Sequence, residues 1–266
     1  MGIVKGARNA SVFQRGFRQL DRVLDLQTFV EYLQTLSATA WARQYKEQML
    51  GLLDLQTGQD VLDVGCGLGE DAVTMARRVQ PNGRTVAIDN SRQMIEEARR
   101  RSSLPARTLK FIVADAQELP FADGTFDKCH ADRVFQHLDA PRRALAELVR
   151  VTRAGGTIAI CEPVSTIAYL RENREIVATE PVKGPSGMLM ESLPDMLRQF
   201  GVDEMELVRG PSRALDPQAI LKNVIQRDPS SSSTASAWHH DLVRRYPRCK
   251  PVAVLTASII LARCPT

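Results

Sequence analysis

The stretch Val61-Leu62-Asp63-Val64-Gly65-Cys66-Gly67-Leu68-Gly69 decides the fold. Val61, Leu62 and Val64 make a short apolar run of the kind that forms a buried strand. Three glycines end it, and residues 70–79 resume with helical spacing, with Val73, Ala76 and Val79 sharing one face and Met75 beside them. The pattern predicts a strand, a glycine turn and a helix in succession. Glycine lets the backbone bend sharply there and lets a ligand approach with no Cβ in the way. The start of the helix adds unpaired N–H groups and the positive end of a dipole. The third glycine comes one residue earlier than in the Gly-x-Gly-x-x-Gly dinucleotide fingerprint. Glu70 and Asp71 follow at once. Two carboxylates at the mouth of the loop would repel a pyrophosphate and suit a ligand that brings positive charge.

Downstream, the same alternation repeats. Residues 84–88 read as a second strand ending in Asp89-Asn90-Ser91, and Ser91 is a good N-cap for a helix over 93–101. Asp89 lies 24 residues after Gly65, about where a nucleotide-binding α/β unit places an acid at the tip of its second strand. A carboxylate there accepts two hydrogen bonds from a ribose diol; the bland alternative is a turn or capping aspartate. Residues 109–114 predict a third strand ending at Asp115-Ala116, and 126–131 a fourth ending at Asp132-Arg133. Pro141 opens a helix, and 157–161 predict a fifth strand ending at Glu162-Pro163. Strands alternating with helices argue for a parallel sheet with helices on both faces, and open sheets of this kind bind ligands at the carboxyl ends of their strands.

Bulk properties exclude several classes. Of 266 residues, 44% are hydrophobic and 25% charged, ordinary for a globular protein. A net charge of +4 is too small to argue for a nucleic-acid partner. Arg99-Arg100-Arg101 reads as a solvated helix face, and Arg244, Arg245, Arg248 and Lys250 as a surface cluster or a site for an anionic substrate. The five cysteines, Cys66, Cys129, Cys161, Cys249 and Cys264, form no Cys-x-x-Cys pair and no zinc spacing, so no metal is expected. An odd count without a framework fits a reducing, cytoplasmic compartment. The basic first residues lack the apolar core of a secretory signal, and no apolar run approaches the ~20 residues of a membrane span.

The flanks carry less pattern. Leu20, Val23, Leu24, Phe29, Leu33 and Leu36 predict one helix, and a second, capped by Ser37 or Thr39, carries Trp41, Tyr45, Met49 and Leu52. Residues 1–57 are therefore expected to be a helical segment that packs on the sheet or serves as a lid over residues 58–266. Beyond Pro163 the expectations are a helix over 165–176, a loop at 181–187, a helix over 193–200, a sixth strand at 204–208 and a last strand at 251–262. Between the last two strands, residues 216–250 are a candidate cap, with Trp238, His239, His240 and Tyr246 as possible pocket residues and a Ser-rich stretch at 228–236.

Taken with Val61–Gly69 and Asp89, the segments Val113-Ala114-Asp115-Ala116, Leu119-Pro120-Phe121, Phe126-Asp127 and Arg150-Val151-Thr152-Arg153-Ala154-Gly155-Gly156 resemble class I S-adenosylmethionine-dependent methyltransferases. The nearest type is the small-molecule branch similar to the ubiquinone/menaquinone-biosynthesis enzymes. The matched motifs cover about 100 residues, Val61 to Cys161, in order. The resemblance implies a Rossmann-like, seven-stranded, mostly parallel sheet whose last strand runs antiparallel beside the fifth. It implies S-adenosyl-L-methionine as methyl donor, S-adenosyl-L-homocysteine as product and a small-molecule acceptor. It also implies roles: Gly65 and Gly67 for the methionine part, Asp63 for its amino end, Asp89 for the ribose, Asn90 and Met94 flanking the adenine. Asp115 and the Ala116 N–H would take the adenine edge, and Arg133 would lie near the sulfonium.

The Asn-Pro-Pro-Tyr motif of amino-methylating enzymes and the cysteines of arsenic methyltransferases are absent. His137 is a candidate base or a structural residue, Glu162 a substrate-side or capping carboxylate, and His130 a core histidine. Two rival functions stay open: an RNA methyltransferase, against which there is no appended RNA-binding module, and a protein that binds the donor without transferring methyl.

Overall fold

A computed structural model of the chain describes residue 21 and residues 26–170, 176–181, 185–215, 244 and 250–266. Of the candidate cap at 216–250, residues 216–243 and 245–249 lie outside the described residues, and with them Trp238, His239, His240, Tyr246, the Ser-rich stretch and Arg245 and Arg248 of the second basic cluster.

The chain enters through two helices, α1 (Leu26–Ser37) and α2 (Ala40–Leu52). Thr39 caps α2 by accepting from the Ala42 N–H. There follow β1 (Asp60–Val64), α3 (Glu70–Val79), β2 (Arg84–Asp89), α4 (Arg92–Arg101) and β3 (Leu109–Val113). Next come β4 (Phe126–Asp132), a short 3-10 turn (Phe135–His137) and α5 (Pro141–Val151). The chain then forms β5 (Thr152–Leu170), β6 (Ile176–Pro181), α6 (Pro185–Gln199), β7 (Glu204–Leu215) and β8 (Lys250–Arg263). The strand order is β3-β2-β1-β4-β5-β8-β7, with β6 attached to β5. β1 to β5 are parallel, and β8 runs antiparallel between β5 and β7. The predicted architecture, with its antiparallel last strand beside the fifth, is the one observed.

Two layers of helix cover the sheet. On one face α5 and α6 bury Leu145, Leu148, Leu189 and Leu193 against Leu62, Ile158 and Ile160. On the other, α2 and α3 bury Tyr45, Met49, Met75 and Val79 against Val61, Ala159 and Cys161. α3 and α4 continue that layer over Ala87 and Phe111. The buried face of α3 is Ala72, Met75, Ala76 and Val79, one position round from the predicted one, with Val73 only partly covered. Arg150 explains two of the matched motifs: its guanidinium donates to the carbonyls of Leu119 and Phe121, tying the 119–121 turn to α5.

The region after Glu162 corrects the expected helix at 165–176. β5 continues as strand to Leu170, and β6 turns back along it at 176–181. β4 stops pairing at Cys161, so the nine further residues of β5 project past the carboxyl edge of the parallel sheet. At ~3.3 Å per residue this is a wall on the order of 30 Å long. β8 pairs with β5 over its whole length, and β7 pairs with β8 as far as Leu215. Alternating Val164, Thr166 and the β-branched start of β8 favour extended chain over helix.

Gly65 and Gly69 in the first turn are dictated by space. Both have positive φ, 67° and 76°. A Cβ on Gly65 would stand 2.4 Å from a Val134 methyl, and one on Gly69 2.7 Å from the Phe111 ring. Gly69→Ala is expected to cost about 1–3 kcal/mol in urea unfolding, from overpacking and the left-handed backbone. Gly51→Ala, in a helix with nothing within 4 Å of its Cβ, is expected to raise stability by up to about 1 kcal/mol.

Candidate functional site at the carboxyl edge of the sheet

The first βα turn places its glycines between two acids. At the end of β2, the Asp89 carboxylate accepts from the Gly67 N–H at 3.0 Å and the Ser91 N–H at 2.9 Å. Both bonds favour its charged form, but burial outweighs them and pushes its pKa up to about 6. On β1, Asp63 is 2% exposed, and its Oδ1 lies 2.7 Å from His130 Nδ1 on the adjacent strand. With Asp63 ionised, Nδ1 carries the proton. Burial raises the Asp63 pKa, while its bond to His130 opposes that rise and draws the histidine pKa up against its own burial. Asp63 Oδ2 is buried without a hydrogen-bond partner. His130 is thus a satisfied core histidine, as expected.

A second set of charges surrounds the end of β4. Asp132 Oδ2 accepts from the Tyr45 hydroxyl at 2.9 Å and lies 3.4 Å from Lys46 and 3.5 Å from Arg133 Nε. Lys46 donates to Asp71. Burial disfavours the Lys46 charge, but Asp71 and Asp132 overcome it and hold the amine protonated. Burial likewise works against ionised Asp132, and Arg133 and Lys46 reverse it, so its pKa falls. Arg133 has φ of 58°, in the region that non-glycine residues avoid, and its N–H donates to the Cys161 carbonyl at 2.8 Å. This strained turn carries its side chain off the strand at the carboxyl edge. The sequence expectation that Glu70 and Asp71 both present free charge is corrected: Asp71 is neutralised by Lys46, while Glu70 is exposed.

The remaining sequence candidates occupy these positions. Asn90 is exposed beside Asp89. Met94 is buried against Leu68 of the loop and Phe29 and Val30 of α1, which therefore packs directly over the turn. Asp115 is exposed at the end of β3 and accepts from the Gln117 N–H at 2.8 Å; Ala116 is nearly buried. His137 closes the 3-10 turn after β4. Glu162 is 0% exposed, and its Oε1 accepts from the Gln136 N–H at 3.3 Å. It shares the α6 face of the wall with Val164, opposite the face that carries Cys161. Burial pushes the Glu162 pKa up to about 8, so at neutral pH it is mostly protonated. Asp63, Gly65, Gly67, Asp89 and Arg133 stand at the first turn and the end of β4; Asn90 and Asp115 are exposed just after β2 and β3, and Glu162 is buried beside the 3-10 turn that His137 closes.

Lys46 and the wall residues Pro211 and Arg213 were not singled out from sequence, and Tyr45 and Asp132 were read only as a helix-face aromatic and the end of a strand. Lys46 had no signal, since a lysine on an amphipathic helix reads as solvated. Asp132 had one, its position at the carboxyl end of a buried strand.

Residues 55–206 match the family model described as a methyltransferase domain. The chain belongs to the methyltransferase-domain family. Over 160 residues it is 40% identical to the O-methyltransferase resE of Aspergillus sclerotiorum, covering 58% of each chain. Two solved structures share the fold. Phosphoethanolamine N-methyltransferase 2 of Haemonchus contortus, solved with phosphomonomethylethanolamine and S-adenosylhomocysteine, has a TM-score of 0.57 at 18% identity, over 94% of this chain and 60% of that one. The [4+2]-cyclase SpnF has a TM-score of 0.50 at 20% identity, over 86% and 85%. The methyltransferase domain here spans between 39% and 59% of the length of eight curated relatives that it matches. No described helix is long and apolar enough to cross a membrane, and no described cluster of His, Cys, Asp and Glu is arranged to hold a metal.

The raised pKa of Glu162 has a consequence for stability. The folded state holds this proton up to about pH 8, whereas an unfolded glutamate releases it near 4.5. Between those values the folded state binds more protons, so stability falls as pH rises. Glu162→Gln keeps the Oε1 acceptor and removes the titration. Its melting temperature is expected to match the wild type near pH 5 and to exceed it increasingly toward pH 8. A constant difference across that range would mean that Glu162 is already ionised in the fold.

Proposed function

We propose that the chain transfers the methyl group of S-adenosylmethionine to a small-molecule acceptor, with the donor at the β1–α3 turn. The observation that carries this reading is the glycine turn between two acids: Asp63 Oδ2 has no partner, and Asp89 reaches the loop through the Gly67 N–H. A donor with an ammonium, a sulfonium and a ribose diol meets both needs, and the positive φ of Gly65, Gly67 and Gly69 keeps the floor of the turn low. Asp63 would hold the amino group and Asp89 the ribose, with Asn90, Met94, Asp115 and Ala116 around the adenine. Arg133 would lie toward the reacting end.

The donor supplies an already activated methyl group, which an acceptor atom attacks in line as the bond to sulfur breaks. What the protein adds is alignment and exclusion of water. Its N-terminal helices divide this work. α2 is part of the core, with Tyr45 and Met49 fully buried. α1 rests on the loop through Phe29 and Val30 and is the lid in this reading. His137 would serve as base only for an acceptor that must lose a proton, and Glu162, expected from sequence as a second candidate, is fully buried on the α6 face and mostly protonated at neutral pH, which argues against that role. The O-methyltransferase relative supports an oxygen acceptor, and no described basic surface favours RNA over a small molecule. The compartment is taken as cytoplasmic.

Calorimetry tests the donor site. S-adenosylmethionine is expected to bind in the micromolar range and NAD not comparably; equal binding of NAD overturns the reading. Asp89→Ala is expected to weaken binding on the order of 100-fold, from loss of two charge-assisted hydrogen bonds. Because Asp89 titrates at about 6 in the free protein, wild-type affinity should fall between pH 7 and pH 5, while Asp89→Asn stays flat. In hydrogen exchange, S-adenosylhomocysteine is expected to slow exchange in α1 and leave the already buried α2 unchanged. No response in α1 would make it permanent packing.

A further inference from the structure

Arg213 stands on the projecting wall, level with Leu255 of β8, and so on the face that α2 covers. Its guanidinium carbon lies 4.8 Å from the centre of the Trp41 ring. The indole is itself fixed from two sides. Its Nε1 donates to the Pro211 carbonyl at 2.8 Å, and the Tyr45 ring sits 4.6 Å away, tilted 57°. Arg213 is held in place by a rigid aromatic platform, but among the described residues it pairs with no carboxylate and makes no hydrogen bond. Its Nε is fully buried without a partner.

Among the described residues Arg213 has no carboxylate at ion-pair distance: Asp71 and Asp132 meet Lys46 and Arg133 instead. The groups that act on Arg213 are Arg133, a like charge, and the phenols of Tyr32 and Tyr45. Glu162 adds no counter-charge, being protonated on the other face of the wall. Partial burial of a cation beside another cation works against folding and persists where something outside the chain answers it. Trp41 and Arg213 also lie outside residues 55–206, so the family's shared core does not explain them.

We propose that Arg213, stacked on Trp41, binds an anionic oxygen group of the acceptor, a carboxylate or an ionised enol or phenol. This rests on the donor site proposed above and adds the acceptor's charge to it. The wall places Arg213 beyond the carboxyl edge, past the end of β4 where the reacting end of the donor is assigned. An arginine suits the task because its planar fork meets two oxygens at once while its flat face stays on the indole. Methylation of that same oxygen would discharge it and weaken its hold, which favours release of the product.

Benzoate and its neutral isostere benzamide test the proposal in titrations of the protein saturated with S-adenosylhomocysteine at pH 7. Benzoate is expected to bind about tenfold or more tightly than benzamide, the ratio for one charge-assisted pair. Arg213→Gln should abolish that preference, Arg213→Lys should restore part of it, and both should bind S-adenosylhomocysteine as the wild type does. Equal response to the two probes, including no response to either, overturns the proposal, as does a preference that survives in Arg213→Gln. A second measurement needs no ligand. If Arg213 is only a strut of the wall, Arg213→Gln lowers the melting temperature; if it is held against its own charge for an anion, the melting temperature stays level or rises. Should S-adenosylhomocysteine fail to bind the wild type, the donor reading fails by itself, and the benzoate titration proceeds on the free protein, where Trp41 and Arg213 already meet.

Discussion

Charge buried at the carboxyl edge of β1 and β4 has to be neutralised where it stands, and the surrounding elements are arranged by that requirement. Asp63 and His130 answer each other across neighbouring strands at 2.7 Å. Asp132 would be an uncompensated buried carboxylate without Tyr45, Lys46 and Arg133, and such a charge costs several kcal/mol. Lys46 and Tyr45 both come from α2, so this helix is fastened to the sheet by polar contacts at one end and by Met49, Leu50 and Leu53 along its length. Removing α2 would leave Asp132 and Asp71 without their amine and open the apolar face of Val61 and Cys161. It belongs to the domain's core, although it precedes the first strand and lies outside the residues that define the family.

The parts of the fold legible in the sequence were those written in local chemistry. Val61–Gly69 announced strand, turn and helix because glycine at positive φ has few substitutes, and Ser91 and Thr39 announced helix starts because their oxygens accept from the first turn. The acids at the strand ends were legible for a topological reason: parallel strands deliver their last residues to one edge. The wall was not legible. Glu162-Pro163 looked like the end of a strand, since proline cannot donate to a ladder. Yet at 163 β5 has already left β4, and Pro163 pairs only with Ala257 on the β8 side. Of the two partners that make this stretch a strand, β6 lies close by in a hairpin, but β8 lies about 80–90 residues downstream, beyond the reach of local pattern.

The charged contacts escaped for a different reason. Nothing in Gln44-Tyr45-Lys46 separates a solvated lysine from one clasped between two carboxylates; only the docking angle of α2 decides it. Asp71 shows the cost of counting charges along the chain. It stood in the sequence as a free carboxylate at the mouth of the loop, and in the fold it is a counter-ion for Lys46. The argument for a cationic ligand therefore rests on the unpartnered oxygen of Asp63 and on Asp89, which reaches the turn through the Gly67 N–H, rather than on the Glu70-Asp71 pair.

The two halves of the site have different origins in the chain. The donor side is made by the parallel strands and their first turn, elements whose geometry any sequence of this topology reproduces. On the reading proposed above, the side facing an acceptor would be made by α1, α2 and the antiparallel wall, where Trp41 and Arg213 fall outside the shared 55–206. The wall is suited to this division. Its strands are antiparallel, so side chains alternate between two faces with separate tasks: Glu162 and Val164 turn to α6, while Cys161, Leu255 and Arg213 turn to α2. A substitution on the α2 face can alter what is held there while the ladder, the α6 face and the donor turn keep their contacts. The same sheet can in this way hold one donor and meet different acceptors, with the choice resting on a few side chains at its projecting end.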